Sequence, residues 1–98
     1  MPAYVIADVE IHDPAIYDEY RKLVPATLAK YGGKFLVRGG AFTKPEASDW
    51  QPGRLVILEF ADRAAAEAWH GSPEYAPALA LRQKAAKTRM VIVDGAAG

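Results

Sequence analysis

Tyr4-Val5-Ile6-Ala7-Asp8-Val9-Glu10-Ile11, followed by Asp13-Pro14, is the stretch from which the rest of the chain is read. Val5, Ala7, Val9 and Ile11 share one parity and Tyr4, Ile6, Asp8 and Glu10 the other, a period of two that predicts a strand with one dry face. Asp13 offers a helix-capping side chain and Pro14 a ring suited to the first helical position. Ile16, Tyr20, Leu23, Thr27, Leu28 and Tyr31 then recur at threes and fours until Gly32-Gly33, so a helix follows. Pro25 falls inside it, removing one internal hydrogen bond and crowding the preceding turn, which predicts a kink or two abutting helical pieces.

Beyond the glycines the pattern repeats. Lys34 to Arg38 reads as a short strand closed by Gly39-Gly40, and Arg54 to Phe60 as a central strand with Val56, Leu58 and Phe60 on one parity. Between them, residues 41–53 form a loop punctuated by Lys44-Pro45 and Pro52-Gly53, long enough to act as a lid or to hold a small hairpin, with Trp50 as its anchor. Asp62 caps a second helical region through Ala64, Ala65, Ala68 and Trp69, which breaks at Gly71 and restarts with Ser72 as cap and Pro73 at the first position. The restart carries Tyr75, Leu79, Arg82 and Ala86, and Thr88 to Asp94 gives a fourth strand.

The order is therefore βαββαβ, the ferredoxin-like arrangement of a four-stranded antiparallel sheet with its helices on one face. Strands one and three are expected to be neighbours running parallel. Parity assigns Tyr4, Ile6, Asp8, Glu10, Leu36, Arg38, Leu55, Ile57, Glu59, Met90 and Ile92 to the open face. An apolar sheet surface of that kind calls for a partner, and isologous pairing predicts a homodimer, sheet against sheet.

Composition narrows the function classes. In 98 residues, twelve Lys+Arg balance twelve Asp+Glu, so no basic footprint for a nucleic acid is present and the chain is one domain, 1–98. The absence of cysteine excludes disulfides and thiolate metal sites. No stretch approaches the ~18 consecutive apolar residues of a membrane span. The segment from Met1 lacks the basic and apolar regions of an export signal, which gives the expectation of a cytoplasmic protein with no membrane partner.

Three groups of residues are candidates for chemistry. If strands one and three are parallel, Asp8, Glu10 and Glu59 gather at one end of the open face, where mutual repulsion and desolvation raise carboxyl pKa values; Asp8 and Glu59 are then the candidates for proton transfer. The competing reading makes these charges a solvated rim, or ion pairs with Lys34. Arg38, followed by Gly39-Gly40, can clamp an anion with its planar fork while Gly39 permits close backbone approach. Tyr20 and Trp69, with the other helical aromatics, can wall an aromatic ligand pocket or simply fill the core. His12 and His70 stand alone, without the spacing of a metal motif, so neither a metal nor a cofactor is expected.

Several separated motifs occur together at consistent spacing: Asp13-Pro14-Ala15-Ile16-Tyr17 with Tyr20, the run from Lys30 to Gly40, Trp50-Gln51-Pro52-Gly53-Arg54, Ala68-Trp69, Ser72-Pro73-Glu74-Tyr75 and Leu81-Arg82. With these the chain resembles the DUF1330 family, a domain of unknown function, over nearly its whole length. In the loop it departs from that family, reading Glu46-Ala47-Ser48-Asp49 where members often carry Leu-Glu-Gly. The resemblance implies a dimeric α/β-barrel, a superfamily that includes cofactor-free monooxygenases, muconolactone isomerases and haem-degrading enzymes, and it implies no defined reaction. Against the haem-degrading relatives, His70 is the candidate axial ligand. The expected function is a binder of an aromatic or anionic metabolite, or a cofactor-independent enzyme acting on one, with Arg38, Gly39, Tyr20, Trp69 and His70 around the ligand. The alternative is a dimeric module that carries no ligand.

Overall fold

Alternation and capping place seven elements in the computed structural model, which describes residues 1–96: β1 (Ala3–Ile11), α1 (Pro14–Tyr31), β2 (Lys34–Arg38), β3 (Arg54–Phe60), α2 (Arg63–His70), α3 (Ala76–Ala85) and β4 (Ala86–Asp94). The expected domain, 1–98, ends two residues outside the described ones. Asp13 caps α1, its Oδ1 accepting from the Ile16 amide at 3.2 Å, and Asp62 caps α2 through the Ala65 amide at 2.8 Å. Gly32 ends α1 in the left-handed region at φ 73°, where a residue without Cβ is least strained. A single helix of 18 residues runs through Pro25, which is exposed, so α1 does not divide into two pieces. No helix of the described residues is long and apolar enough to cross a membrane.

Ser72 behaves as a cap, but regular helix starts later than the Ser72-Pro73 signal suggests. Its hydroxyl accepts from the Tyr75 amide at 3.0 Å across a turn, and α3 begins at Ala76. The fourth strand starts earlier than expected, at Ala86, because Ile11 and Glu10 of β1 pair with Ala86 and Lys87.

The sheet order is β2-β3-β1-β4 and every neighbouring pair is antiparallel. This corrects the expected parallel pairing of the first and third strands. α1 carries the chain from β1 to β2, leaving a gap that β3 fills by reversing out of β2, so β3 must oppose β1. The register then sets the faces. Val5, Ala7 and Val9 of β1 lie beside Leu58, Val56 and Arg54 of β3 and beside Ile92, Met90 and Thr88 of β4, all toward the helices.

Two assignments to the open face are therefore reversed. Met90 and Ile92 pack against the core, while Val91 and Val93 stand exposed. Both parities of β4 are apolar, so alternation alone could not orient it. Arg38 is turned by a β-bulge between Phe35 and Val37: Val37 lies opposite Ile57 of the open face, and Arg38 opposite Val56 of the helix side. Its guanidinium rests over the Phe35 ring, 4.3 Å from the centroid.

The core closes around Trp69, Tyr75, Phe60 and Val5, the largest fully buried side chains. Trp69 and Tyr75 stack with centroids 4.2 Å apart, and Phe60 lies 5.5 Å from the Trp69 ring. Buried polar atoms are paired there: Trp69 Nε1 donates to Thr27 Oγ1 at 3.0 Å, and Thr27 Oγ1 donates to the Val24 carbonyl at 2.7 Å. Glu74, in the turn before α3, accepts from Tyr31 Oη at 2.7 Å and pairs with Lys30 at 2.8 Å, tying that turn to the end of α1. These partners hold its carboxyl down at about 2. Trp69 thus links α1, α2 and the turn before α3, and its loss leaves a void and removes the indole's bond to the Thr27 hydroxyl, which keeps its bond to Val24. Trp69→Ala is expected to lower stability by about 3–5 kcal/mol, read by urea denaturation.

Candidate functional site

Between α1, α3 and the covered sheet face the side chains leave a cleft. Its floor is apolar, made by Val5, Ala7 and Val9 of β1 with Val56 and Leu58 of β3; Tyr17, Tyr20 and Val24 of α1 and Trp69 form its walls. Four arginines line it, Arg21, Arg38, Arg54 and Arg82, and no carboxylate does. About 30 Å³ is open to the centres of water-sized molecules, room for a water or two before side chains move.

Each arginine arrives by a local rule. Arg54 precedes Val56 and Leu58 in parity and lies opposite Val9, so the strand turns it inward. Its Nη2 donates to the Arg38 carbonyl at 3.3 Å, its guanidinium lies 5.8 Å from the centroid of the Tyr17 ring, and its Nε is buried without a partner. Arg82 sits seven residues after Tyr75 on the inward stripe of α3 and is only 6% exposed. Its Nε and Nη1 are both buried and unpartnered. Arg21 lies at the mouth, paired with Asp18 at 3.3 Å, and Arg38 reaches the cleft through the bulge.

Of the sequence candidates, Tyr20, Trp69 and Arg38 meet in this cleft. Tyr20 and Tyr75 share a hydrogen bond of 2.8 Å between their hydroxyls, and burial pushes both phenols above their ordinary pKa. Gly39 stands behind the wall instead. At φ 71° it is in the left-handed region, and a Cβ there would collide with the Arg54 guanidinium, so this glycine makes room for an arginine rather than for a ligand. His70 lines a second, shallower pocket with Arg82 and Thr88. Burial, and after it the charge of Arg82, lowers its pKa, so the imidazole is neutral at pH 7.

Glu59 does not join the other two carboxylates, whereas Asp8 and Glu10 line one hollow together with Asp49, Lys87 and Arg89. Asp8 lies opposite Leu55 and Glu59 opposite Tyr4, four residues apart along β1, or ~13 Å of strand at about 3.3 Å per residue. Glu59 pairs with Lys34 across the β2–β3 ladder at 3.0 Å, and that bond holds its carboxyl below the usual range. Asp8 is taken up by the long loop: Oδ2 accepts from Trp50 Nε1 and Oδ1 from the Gly53 amide, both at 2.9 Å. Lys44 Nζ in turn donates to the Trp50 carbonyl at 3.0 Å and to Gln51 Oε1 at 2.8 Å. No hairpin forms in residues 41–53, and among the described residues no group of three or more His, Asp or Glu is placed to hold a metal ion.

Arg54 and Arg82 are the site residues that the motif reading passed over. Their signal is present in the chain, a charged residue in register with an apolar stripe, but the same pattern also suits a long side chain that snorkels to solvent. With Asp8 as the loop's anchor, Asp8→Ala is expected to speed limited proteolysis within residues 41–53 and to lower stability by roughly 1–2 kcal/mol, with an unchanged circular dichroism spectrum.

Comparison with known structures finds the same fold at low identity. A protein of unknown function from Rhodopseudomonas palustris, RPA0582, superposes with a TM-score of 0.74 at 20% identity, over 99% of this chain and 84% of that one. A dimeric ferredoxin-like protein of unknown function from Jannaschia gives 0.71 at 14% identity, over 97% of this chain and 100% of the other. SnoaB, a cofactor-independent oxygenase from Streptomyces nogalater, gives 0.67 at 11% identity, over 99% and 95%. No curated protein matches the sequence. The profile of the domain of unknown function DUF1330 matches residues 2–96, and the chain therefore belongs to the DUF1330 family.

Proposed function

We propose that this protein is a homodimer that binds a small anionic molecule in the cleft between its helices and its sheet. The observation that carries the reading is Arg82. Arg82 is 6% exposed as a residue, its Nε and Nη1 are buried and unpartnered, and it stands in a cleft lined by three further arginines and no carboxylate, so its charge has no counterion in the protein. Such a charge costs several kcal/mol unless it is paired, and an anion in the cleft supplies the pairing. At the mouth Arg21 is paired with Asp18, and Arg38 and Lys22 leave an excess of positive charge that raises the local concentration of anions. A guanidinium keeps its charge in a protein, and a ligand-free structural module offers Arg82 no counterion inside the core.

Binding is favoured over catalysis by where the proton-transfer candidates lie. Asp8 holds the loop and Glu59 pairs with Lys34, both outside the cleft. The likeness to SnoaB shows the fold, and the carboxylate pair from which chemistry was expected is not assembled.

For the dimer, support comes from the open sheet face. Ile6, Leu36, Val91 and Val93 stand exposed in one chain, Val91 at 59%, and solved relatives of this fold are dimeric. An isologous contact over this face removes that surface from water.

Two measurements test these statements. Arg82→Met, which keeps the length and removes the charge, is expected to raise the stability of the unliganded protein by about 1–3 kcal/mol and to abolish stabilisation by small anions. A less stable variant that is still stabilised by anions would overturn the assignment of the site. Light scattering is expected to give a mass near twice 10.6 kDa at micromolar concentration, and a monomer there would remove the dimer.

A further inference from the structure

The seam between α3 and β4 adds to Arg82 a polar atom that the binding reading has not used, Thr88 Oγ1. Arg82 and Met90 line both the inner cleft and the shallower pocket that contains His70 and Thr88, so the guanidinium stands in a wall common to the two. Thr88 lies opposite Val9 on the helix side of the sheet, and its Oγ1 is buried without a hydrogen-bond partner. Arg82 Nε and Nη1 bring three N–H bonds and Thr88 one O–H. These donors come from two different elements, border one pocket, and meet no acceptor in the protein.

We infer that the ligand is a short organic carboxylate whose carboxylate group is received by Arg82 and Thr88 at the α3–β4 seam, while its apolar body lies in the cleft against Trp69. The inference rests on the anion-binding reading and narrows it. A carboxylate has two oxygens and about four lone-pair sites, which matches the unused donors. Its planar geometry suits the guanidinium. A phosphate dianion would carry a second charge and a third oxygen toward a floor of valine and leucine, where Arg54 Nε is the one other buried, unpartnered side-chain donor among the described residues. His70, neutral at pH 7, adds no further positive charge at the rim. The cleft's open space holds a water or two as it stands, so a body of a few carbon atoms is the most it takes once the lining side chains move.

The test is an NMR titration of the full chain in low-chloride buffer with three probes: isobutyrate, its neutral isostere isobutyramide, and inorganic phosphate. Isobutyrate is expected to bind saturably, with shifts at Arg82, Thr88 and Trp69, and isobutyramide at least tenfold more weakly. Thr88→Val, which is isosteric and removes only the hydroxyl, is expected to weaken isobutyrate about tenfold while the unliganded protein keeps its melting temperature. Equal binding of isobutyrate and isobutyramide, or an unchanged affinity in Thr88→Val, would overturn the inference. Phosphate binding that is lost in Arg82→Met, with no isobutyrate binding, would overturn the carboxylate and leave the anion site standing. If neither anion binds, both readings fall.

Discussion

The antiparallel pairing of β1 with both of its neighbours is the constraint on which the rest of the structure depends. Because β1 is shared by two ladders, its alternation is imposed on β3 and β4 together: every residue opposite Val5, Ala7 or Val9 faces the helices, and every residue opposite Tyr4, Ile6 or Asp8 faces away. The ends follow as well. Antiparallel direction puts the start of β3 beside the end of β1, so Arg54 arrives next to Val9 while Glu59 is carried to the Tyr4 end. A one-residue slip in either ladder would turn that partner strand over, exposing Val56 and Leu58 of β3 or Met90 and Ile92 of β4.

That register also produces the charge imbalance of the cleft. The helix side of the sheet receives Arg54 from β3 and, through the bulge, Arg38 from β2, while α3 contributes Arg82. Asp8, Glu10 and Glu59 fall on the other parity, where Glu59 pairs with Lys34 and Asp8 holds the Trp50 loop, and Asp94, in parity with Ile92, pairs with Arg63 of α2. A chain with zero formal net charge thus holds the buried Arg82 and the half-buried Arg54 without a counter-charge. The separation is a consequence of alternation, which sorts neighbouring residues onto opposite faces whatever the total.

Packing holds this arrangement from the helix side. Trp69, Tyr75 and Phe60 stack in series, and hydroxyls satisfy the polar edges of the aromatics: Thr27 for the indole and the Tyr20–Tyr75 pair for each other. Among the described residues, the buried side-chain nitrogen and oxygen atoms without a partner border the cleft and the seam. The unpartnered atoms are Arg54 Nε, Arg82 Nε and Nη1, and Thr88 Oγ1, and they cluster where the proposed ligand lies. On the far side of the sheet, the loop of residues 41–53 is fastened to Asp8, with Ala47 in the left-handed region at φ 73° to make its turn.

What the sequence by itself determined is the set of elements and the inner face of β1 and β3. Strict alternation in Tyr4 to Ile11 and Arg54 to Phe60, aspartates ahead of both helices and glycines behind α1 are local signals, and the residues that carry them act within a few positions of one another. The loop anchor Trp50 and the Lys34–Glu59 pairing were legible on the same grounds. Tertiary structure alone decided the direction of β1 against β3, the orientation of β4 and the side to which Arg38 turns. Met90 and Ile92 alternate with Val91 and Val93, so either face is equally apolar and only pairing with β1 chooses between them. The bulge at Leu36 reverses parity by one residue without changing composition, and no local signal in Lys34 to Arg38 announces it. Site residues were half visible for the same physical reason: a side chain's type can be read along the chain, but the neighbours that leave it paired or unpaired are brought by strands and helices tens of residues away.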